Sequence, residues 1–184
     1  EINTDHHNAG KEKWGQFKMF KGHAIGLQGS AQEKRSSIEA RLEKLMALRA
    51  EDPNAHRILW HDLEDERKAI EAAIPEAVSV YGKQETERQE HCIAQFSNGQ
   101  IQELAAKPMM LGSGCNLQRH CAWAIYLGIG FKFNDFIQSI HRIHRFLQQK
   151  QVRIDIIYTE AESQVKKQLE KKWVQHNKMI EKMT

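Results

Sequence analysis

Residues 57–82 read RILWHDLEDERKAIEAAIPEAVSVYG. RILWH (57–61) is a short, nearly continuous apolar run, the pattern of a buried strand. Asp62 then stands as a helix cap, and Leu63, Ile70 and Ile74 fall on one side of a helix that ends before Pro75. AVSVY (77–81) is again strand-like, and Gly82 closes it. Two strands joined through a helix lie parallel, because only a connection of that length can cross over the sheet. This unit decides the fold class.

The same alternation continues downstream. A helix from Thr86 to Phe96 opens with Thr86 and Gln89 at capping-box spacing and stops at Ser97-Asn98-Gly99. QELAA (102–106) is a third strand, AWAIYLG (122–128) a fourth and VRIDIIY (152–158) a fifth. A helix from Asn134 to about Gln149 links the last two. Thr159 and Glu162 form a second capping box and start a long helix striped by Val165, Leu169, Trp173, Ile180 and Met183. Upstream, Ile38, Leu42, Leu45 and Leu48 mark an amphipathic helix from Gln32 to about Arg49, stopped by Asp52-Pro53-Asn54. The expected fold is α/β, three layers with a mainly parallel central sheet flanked by helices. Residues 1–30 form an irregular opening segment and 31–160 the domain. Residues 161–184 form a C-terminal amphipathic helix packed on that domain or on a neighbouring one. No internal repeat is present.

The chain has 184 residues, 40% hydrophobic and 28% charged, an ordinary globular composition that excludes fibrous and disordered classes. No apolar run reaches the ~20 residues that span a bilayer, so no membrane association is expected. The start, EINTDHHNAGKEKW, lacks the apolar stretch of a secretory signal. It also lacks an initiator Met, as expected of a processed chain or a segment of something longer. Cys92, Cys115 and Cys121 are odd in number and unpaired in spacing. That pattern suits a reducing, cytoplasmic location and neither a disulfide framework nor a zinc ribbon. Net charge is only +3, but residues 101–150 carry six basic against two acidic side chains, beside an acidic stretch at 51–100. Such a distribution suits either a basic face meeting phosphates or a mixed solvated surface.

In a parallel sheet, ligands sit at the carboxyl ends of the strands. The loops after His61, Ala106, Gly128 and Tyr158 are therefore the places to search for chemistry. KPMMLGSGCNLQRHC (107–121) places Gly112 and Gly114 around Ser113, a tight turn able to offer N–H groups to an anion or simply to join a strand to a helix. It half-matches a dinucleotide fingerprint, with Leu117 where a third glycine belongs. In NDFIQSIHRIHRFLQQ (134–149), helical spacing puts Phe136, Ile140, Ile143 and Leu147 on one face and Gln138, Arg142 and Arg145 on the opposite one. Arginines opposite a core stripe either face water or meet an anion. His141, His144, Cys115, His120 and Cys121 show no metal-site spacing, so no metal is assigned.

QSIHRIHRFLQ (138–148) resembles the sixth motif of superfamily 2 helicases in its Swi/Snf-type form, through Gln138, Arg142, His144, Arg145 and Gln148. LGSGCNLQ (111–118) resembles the fifth motif, a Gly-x-Asn-Leu segment. RILWHDLEDERKAIEAAI (57–74) is similar to the fourth-motif strand and helix, and VYGKQETERQEHCIAQFSNG (80–99) to the turn and helix that follow. The resemblance runs in order from about residue 33 to 160. It departs at Leu147, where the Swi/Snf form usually has Gly, and at GIGFKF (128–133), which replaces an acidic, Trp-bearing segment.

The resemblance implies a RecA-like C-terminal lobe of an ATP-driven motor on nucleic acid. ATP and Mg2+ would be held mainly by a first, N-terminal RecA-like lobe of the same full-length protein. No Gly-Lys-Ser/Thr occurs here, and Asp65-Glu66 lies inside an expected helix, so this chain alone is expected to be inactive. By resemblance, Arg142 and Arg145 are the catalytic arginines reaching the phosphates, with Gln138, Gly112 and Gly114 beside the nucleotide. Lys107, Ser113, Asn116, Gln118 and Arg119 would contact the backbone of DNA, or of RNA. Two rival expectations are a non-catalytic nucleic-acid or protein interaction module, and a nucleotide-cofactor domain using the Gly-Ser-Gly loop.

Overall fold

The computed structural model describes residues 27–111, 115–128, 130 and 132–181. Five strands form one wholly parallel sheet: β1 (Arg57–Trp60), β2 (Val78–Val80), β3 (Glu103–Ala106), β4 (Trp123–Tyr126) and β5 (Arg153–Ile156). Their spatial order is β2-β3-β1-β4-β5, so β1 is central and the chain reverses its direction of winding beside it. Trp60 stands in register with Ala106 on one side and Tyr126 on the other. The three-layer α/β expectation holds.

Alternation along the strands divides the core in two. Ile58, Trp60, Leu104, Ala106, Ala124 and Tyr126 face one layer, covered by α4 (Thr86–Ser97), α5 (Phe133–Ile140) and the segment leading into β4. Leu59, Ala105, Ile125 and Leu127 face the other layer, covered by α2 (Ile38–Glu51) and α3 (Glu64–Ala73). The last helix, α6 (Ser163–Glu181), seats Val165 and Leu169 on Phe133, Phe136, Ile156 and Tyr158.

Several local expectations are corrected. The first helix is two, α1 (Leu27–Ser36) and α2. The hydroxyls of Ser36 and Ser37 both donate back to the Glu33 carbonyl, and such back-bonding bends a helix. Asp62 does not cap α3. The Glu66 carboxylate does, accepting from the backbone N–H of Asp62 and Leu63 at 2.8 and 2.9 Å. Thr86 and Gln89 form no capping box either, since Gln89 Nε2 donates to the Gln84 carbonyl at 2.8 Å. At the second box, Thr159 N–H does donate to Glu162 Oε2 at 3.0 Å.

The two ends of the sheet differ in kind. At the amino ends a buried ion cluster locks α2 to the strands, with Glu103 taking Arg57 at 2.8 Å and Arg49 at 2.7 Å. At the carboxyl ends, the fully buried Arg41 guanidinium gathers four partners from distant parts of the chain. These are Ser37 Oγ at 2.8 Å, the Leu127 carbonyl at 2.7 Å, the Ile157 carbonyl at 3.1 Å and Glu162 Oε2 at 2.6 Å.

Gly128 sits against this network. A β-carbon there would stand 2.8 Å from Glu66 Oε1 and 3.0 Å from Lys34 Cε, and Glu66 cannot swing away without uncapping α3. Gly128→Ala is therefore expected to destabilise the fold by about 1–3 kcal/mol. A urea midpoint that falls at unchanged m-value would show it, and an unshifted midpoint would mean the carboxylate yields freely.

Candidate functional site

The expected helix from Asn134 to Gln149 ends at Ile140, and residues 141–147 form turns interrupted by a bend at 144–145. The opposed faces read from helical spacing therefore do not extend to the arginines. Ile140 and Ile143 are buried and Phe136 half-buried, but Leu147 is 69% exposed instead of lying in the core. Two hydrogen bonds, one from a distant segment and one from a nearby side chain, use carbonyls that a continuing helix would need. The Arg142 carbonyl accepts from Leu117 N–H at 3.2 Å, and the Ile143 carbonyl from Gln148 Nε2 at 2.9 Å. The same amide of Gln148 donates to the Cys121 carbonyl at 3.1 Å.

These bonds draw the fifth- and sixth-motif segments together. Arg145 Nη1 donates to Asn116 Oδ1 at 2.6 Å, an exposed contact between side chains separated widely in sequence. Arg142 is half-buried, and its Nε lacks a partner among the described residues. A buried donor without a partner costs about 1–3 kcal/mol, so it is a place where a ligand or water gains. Next to it, burial pushes the Cys115 thiol up, opposed by the positive Arg142. Gln138 is exposed on α5, Arg119 is exposed, and Gln118 is half-buried, its Oε1 without a partner among the described residues. Gly112, Ser113 and Gly114 lie outside the described residues.

Lys107 is elsewhere. It lines a cavity of about 190 Å³ at the carboxyl ends of β1, β4 and β5, which none of Gln138, Arg142, Arg145, Asn116, Gln118 or Arg119 touches. The structure thus splits the expected residues between two places, a turn bearing arginines beyond the last turn of α5 and a cavity at the strand ends. Of the loops singled out by the strand-end rule, those after His61, Ala106 and Gly128 line the cavity.

Sequence reading missed the cavity's own groups. His61 is 2% exposed; burial, then the positive Lys107, lowers its pKa to about 4, so the ring is neutral. Its Nδ1 meets the Leu63 carbonyl at 3.2 Å, leaving Nε2 as an acceptor without a partner among the described residues. Burial acts to raise the Asp62 carboxyl. Lys34, 2.7 Å away, with Lys107 and Lys132, nonetheless holds it below the usual range. Among the described residues no three His, Cys, Asp or Glu side chains gather as a metal site. Nor is any described helix long and apolar enough to cross a membrane.

Leu147 has φ +72°, a left-handed conformation, at the position where the sequence departs from a usual glycine. The strain of a side chain there is about 1–2 kcal/mol. A glycine removes it but costs about 0.5–1 kcal/mol in unfolded-state freedom. Leu147→Gly is accordingly expected to stabilise by up to about 1 kcal/mol, raising the thermal midpoint by a few degrees. A lower midpoint would mean that the exposed leucine makes contacts the strain argument omits.

No protein-family model and no curated protein matches this chain. Among solved structures it is similar to the crystal structure of the C-terminal part of the Fun30 ATPase domain. The TM-score is 0.60 at 18% identity, over 69% of this chain and 44% of that one. The fold is thus that of a RecA-like lobe, as in helicase-type ATPases. The chain spans less than half the length of the protein it matches.

Proposed function

We propose that this chain is the second motor lobe of an ATP-dependent DNA helicase or translocase. The observation that carries the proposal is the junction of Asn116 and Leu117 with Arg142 and Arg145, which couples a backbone-contacting loop to a pair of guanidinium groups. ATP with Mg2+, when bound on a first lobe, supplies the phosphoryl group whose transfer to water drives the motor. Arg145 is exposed and, among the described residues, is held by Asn116 at its tip, so it can exchange Asn116 for a phosphate oxygen. Arg142, in the same turn, holds an Nε without a partner among the described residues. Both present planar, permanently charged donors suited to spreading negative charge on phosphoryl oxygens. Gln138 on the preceding helix and Gly112 and Gly114 in the loop complete the nucleotide side.

Ser113, Asn116, Gln118, Arg119 and Lys107 supply backbone contacts, which position a strand without reading its sequence. When the first lobe closes, Arg145 leaves Asn116, and that exchange passes the state of the nucleotide to the loop that holds the strand. The rival reading is a non-catalytic interaction module, favoured by the hydrogen bond that already occupies Arg145. ATP hydrolysis by the protein carrying both lobes, with and without DNA at low and moderate salt, separates the two. Stimulation by DNA that fades with salt is expected; a protein that hydrolyses no ATP leaves the interaction module.

A further inference from the structure

The half-buried Gln148 engages every polar atom of its side-chain amide. Nε2 donates to the Ile143 carbonyl at 2.9 Å and to the Cys121 carbonyl at 3.1 Å. Oε1 accepts from the Lys150 backbone N–H at 3.0 Å, which fixes the way the amide faces. The backbone N–H of Gln148 donates to the Arg145 carbonyl at 3.1 Å. That bond closes a four-residue turn with Leu147 third, the place where a type II turn requires a left-handed residue. Leu147 takes that conformation, at φ +72°. Such strain persists only where the surroundings over-determine it, and it gathers where geometry serves function.

The same side chain reaches across to the loop that carries Asn116. Leu117 N–H donates to the Arg142 carbonyl at 3.2 Å, and the Cys121 carbonyl takes Gln148 at 3.1 Å, so the two segments are joined at two points. Cys121 N–H also returns to the Leu117 carbonyl at 3.0 Å, which makes 117–121 a closed turn. We propose that Gln148 is a positioning residue for ATP hydrolysis, clasping the arginine turn to the 116–121 loop so that Arg145 is presented in one fixed arrangement. The role rests on the proposed motor function. Gln148 acts through Arg145 and not on the reacting atoms. Arg145 itself is exposed, so the clasp beneath it sets where its guanidinium stands. A misplacement of about 1 Å in a reacting assembly costs about two decades in rate.

Gln148→Met keeps the length of the side chain and drops both donors. Gln148→Glu, closer in shape, keeps the acceptor for Lys150 and turns an oxygen toward two carbonyls. In the protein carrying both lobes, with saturating DNA, each is expected to lower kcat at least about tenfold and leave KM for ATP within about twofold. A melting curve confirms that each variant is folded at the assay temperature. In the Arg145→Ala background Gln148→Met should cost less than about threefold, because the group it positions is gone. A merely structural glutamine would lose as much in both backgrounds. Hydrogen exchange over residues 115–121 of the same protein gives a readout free of catalysis. Without the clasp those amides should exchange about tenfold faster. With an active wild type, the proposal alone is overturned if folded variants keep the wild-type kcat, if the loss is as large beside Arg145→Ala, or if exchange is unmoved. A wild type that hydrolyses no ATP, or Arg145→Ala as fast as wild type, overturns the motor reading and takes this role with it.

Discussion

Replacing Arg145 by alanine is expected to lower kcat for ATP hydrolysis by about two decades or more in the protein carrying both lobes, with ATP affinity nearly unchanged. Arginines that reach a phosphoryl group across an interface contribute roughly 10³–10⁵ in rate, or about 4–7 kcal/mol of barrier. Their effect falls on kcat because the charge they match develops only in the transition state. Arg145→Lys should recover little, since an ammonium point charge cannot reproduce a planar two-pronged donor. Arg145 is exposed, and its single hydrogen bond among the described residues is to Asn116, so the variant keeps the fold. Steady-state kcat and KM, measured with saturating DNA, decide the matter. A variant that matches wild type would remove the arginine from catalysis and leave an interaction module.

The largest loss of stability should follow Arg41→Met. The guanidinium and the Glu162 carboxylate are both fully buried, 2.6 Å apart. Removing Arg41 leaves a buried negative charge without its partner and strips donors from the Leu127 and Ile157 carbonyls. Breaking one side of such a pair costs about 3–5 kcal/mol, a large share of the ~5–15 kcal/mol that holds a typical domain together. The double variant Arg41→Met with Glu162→Gln should recover about 1–2 kcal/mol, because the uncompensated charge is gone while the Thr159 N–H keeps its acceptor. Urea unfolding of the wild type, single and double variants tests this. Recovery of nothing would mean that the lost carbonyl bonds, not the stranded charge, dominate.

Much of the architecture was legible in the sequence. Each expected strand is present within a residue or two, and Leu45, Leu48, Ile70 and Ile74 are buried as their spacing requires. Helical periodicity failed where other donors, one distant and one a local side chain, compete for the same carbonyls. His141 to Gln148 carries a plausible helical stripe, yet Leu117 and Gln148 claim the Arg142 and Ile143 carbonyls and the helix stops. Capping was misassigned at Asp62 for a related reason. Its carboxylate is drawn to Lys34 on α1, a partner far away in sequence, and Glu66 takes over the cap. The cavity was legible only as a location, at the strand ends. No local pattern marks Trp60 or His61 as anything but strand residues.

The order of strands and helices, the parallel sense of the sheet and the two faces of its core follow from the sequence alone. Apolar spacing along a strand or helix is a local property that burial reads directly. Tertiary structure alone decided which polar groups meet: Arg145 with Asn116, Arg41 with four partners, and Lys34 with Asp62. It also decided that Lys107 stands with Trp60 and His61 instead of with the arginines. Polar pairing depends on directions and distances between segments far apart in the chain, and a carbonyl or carboxylate accepts from whichever donor the packed layers bring to it.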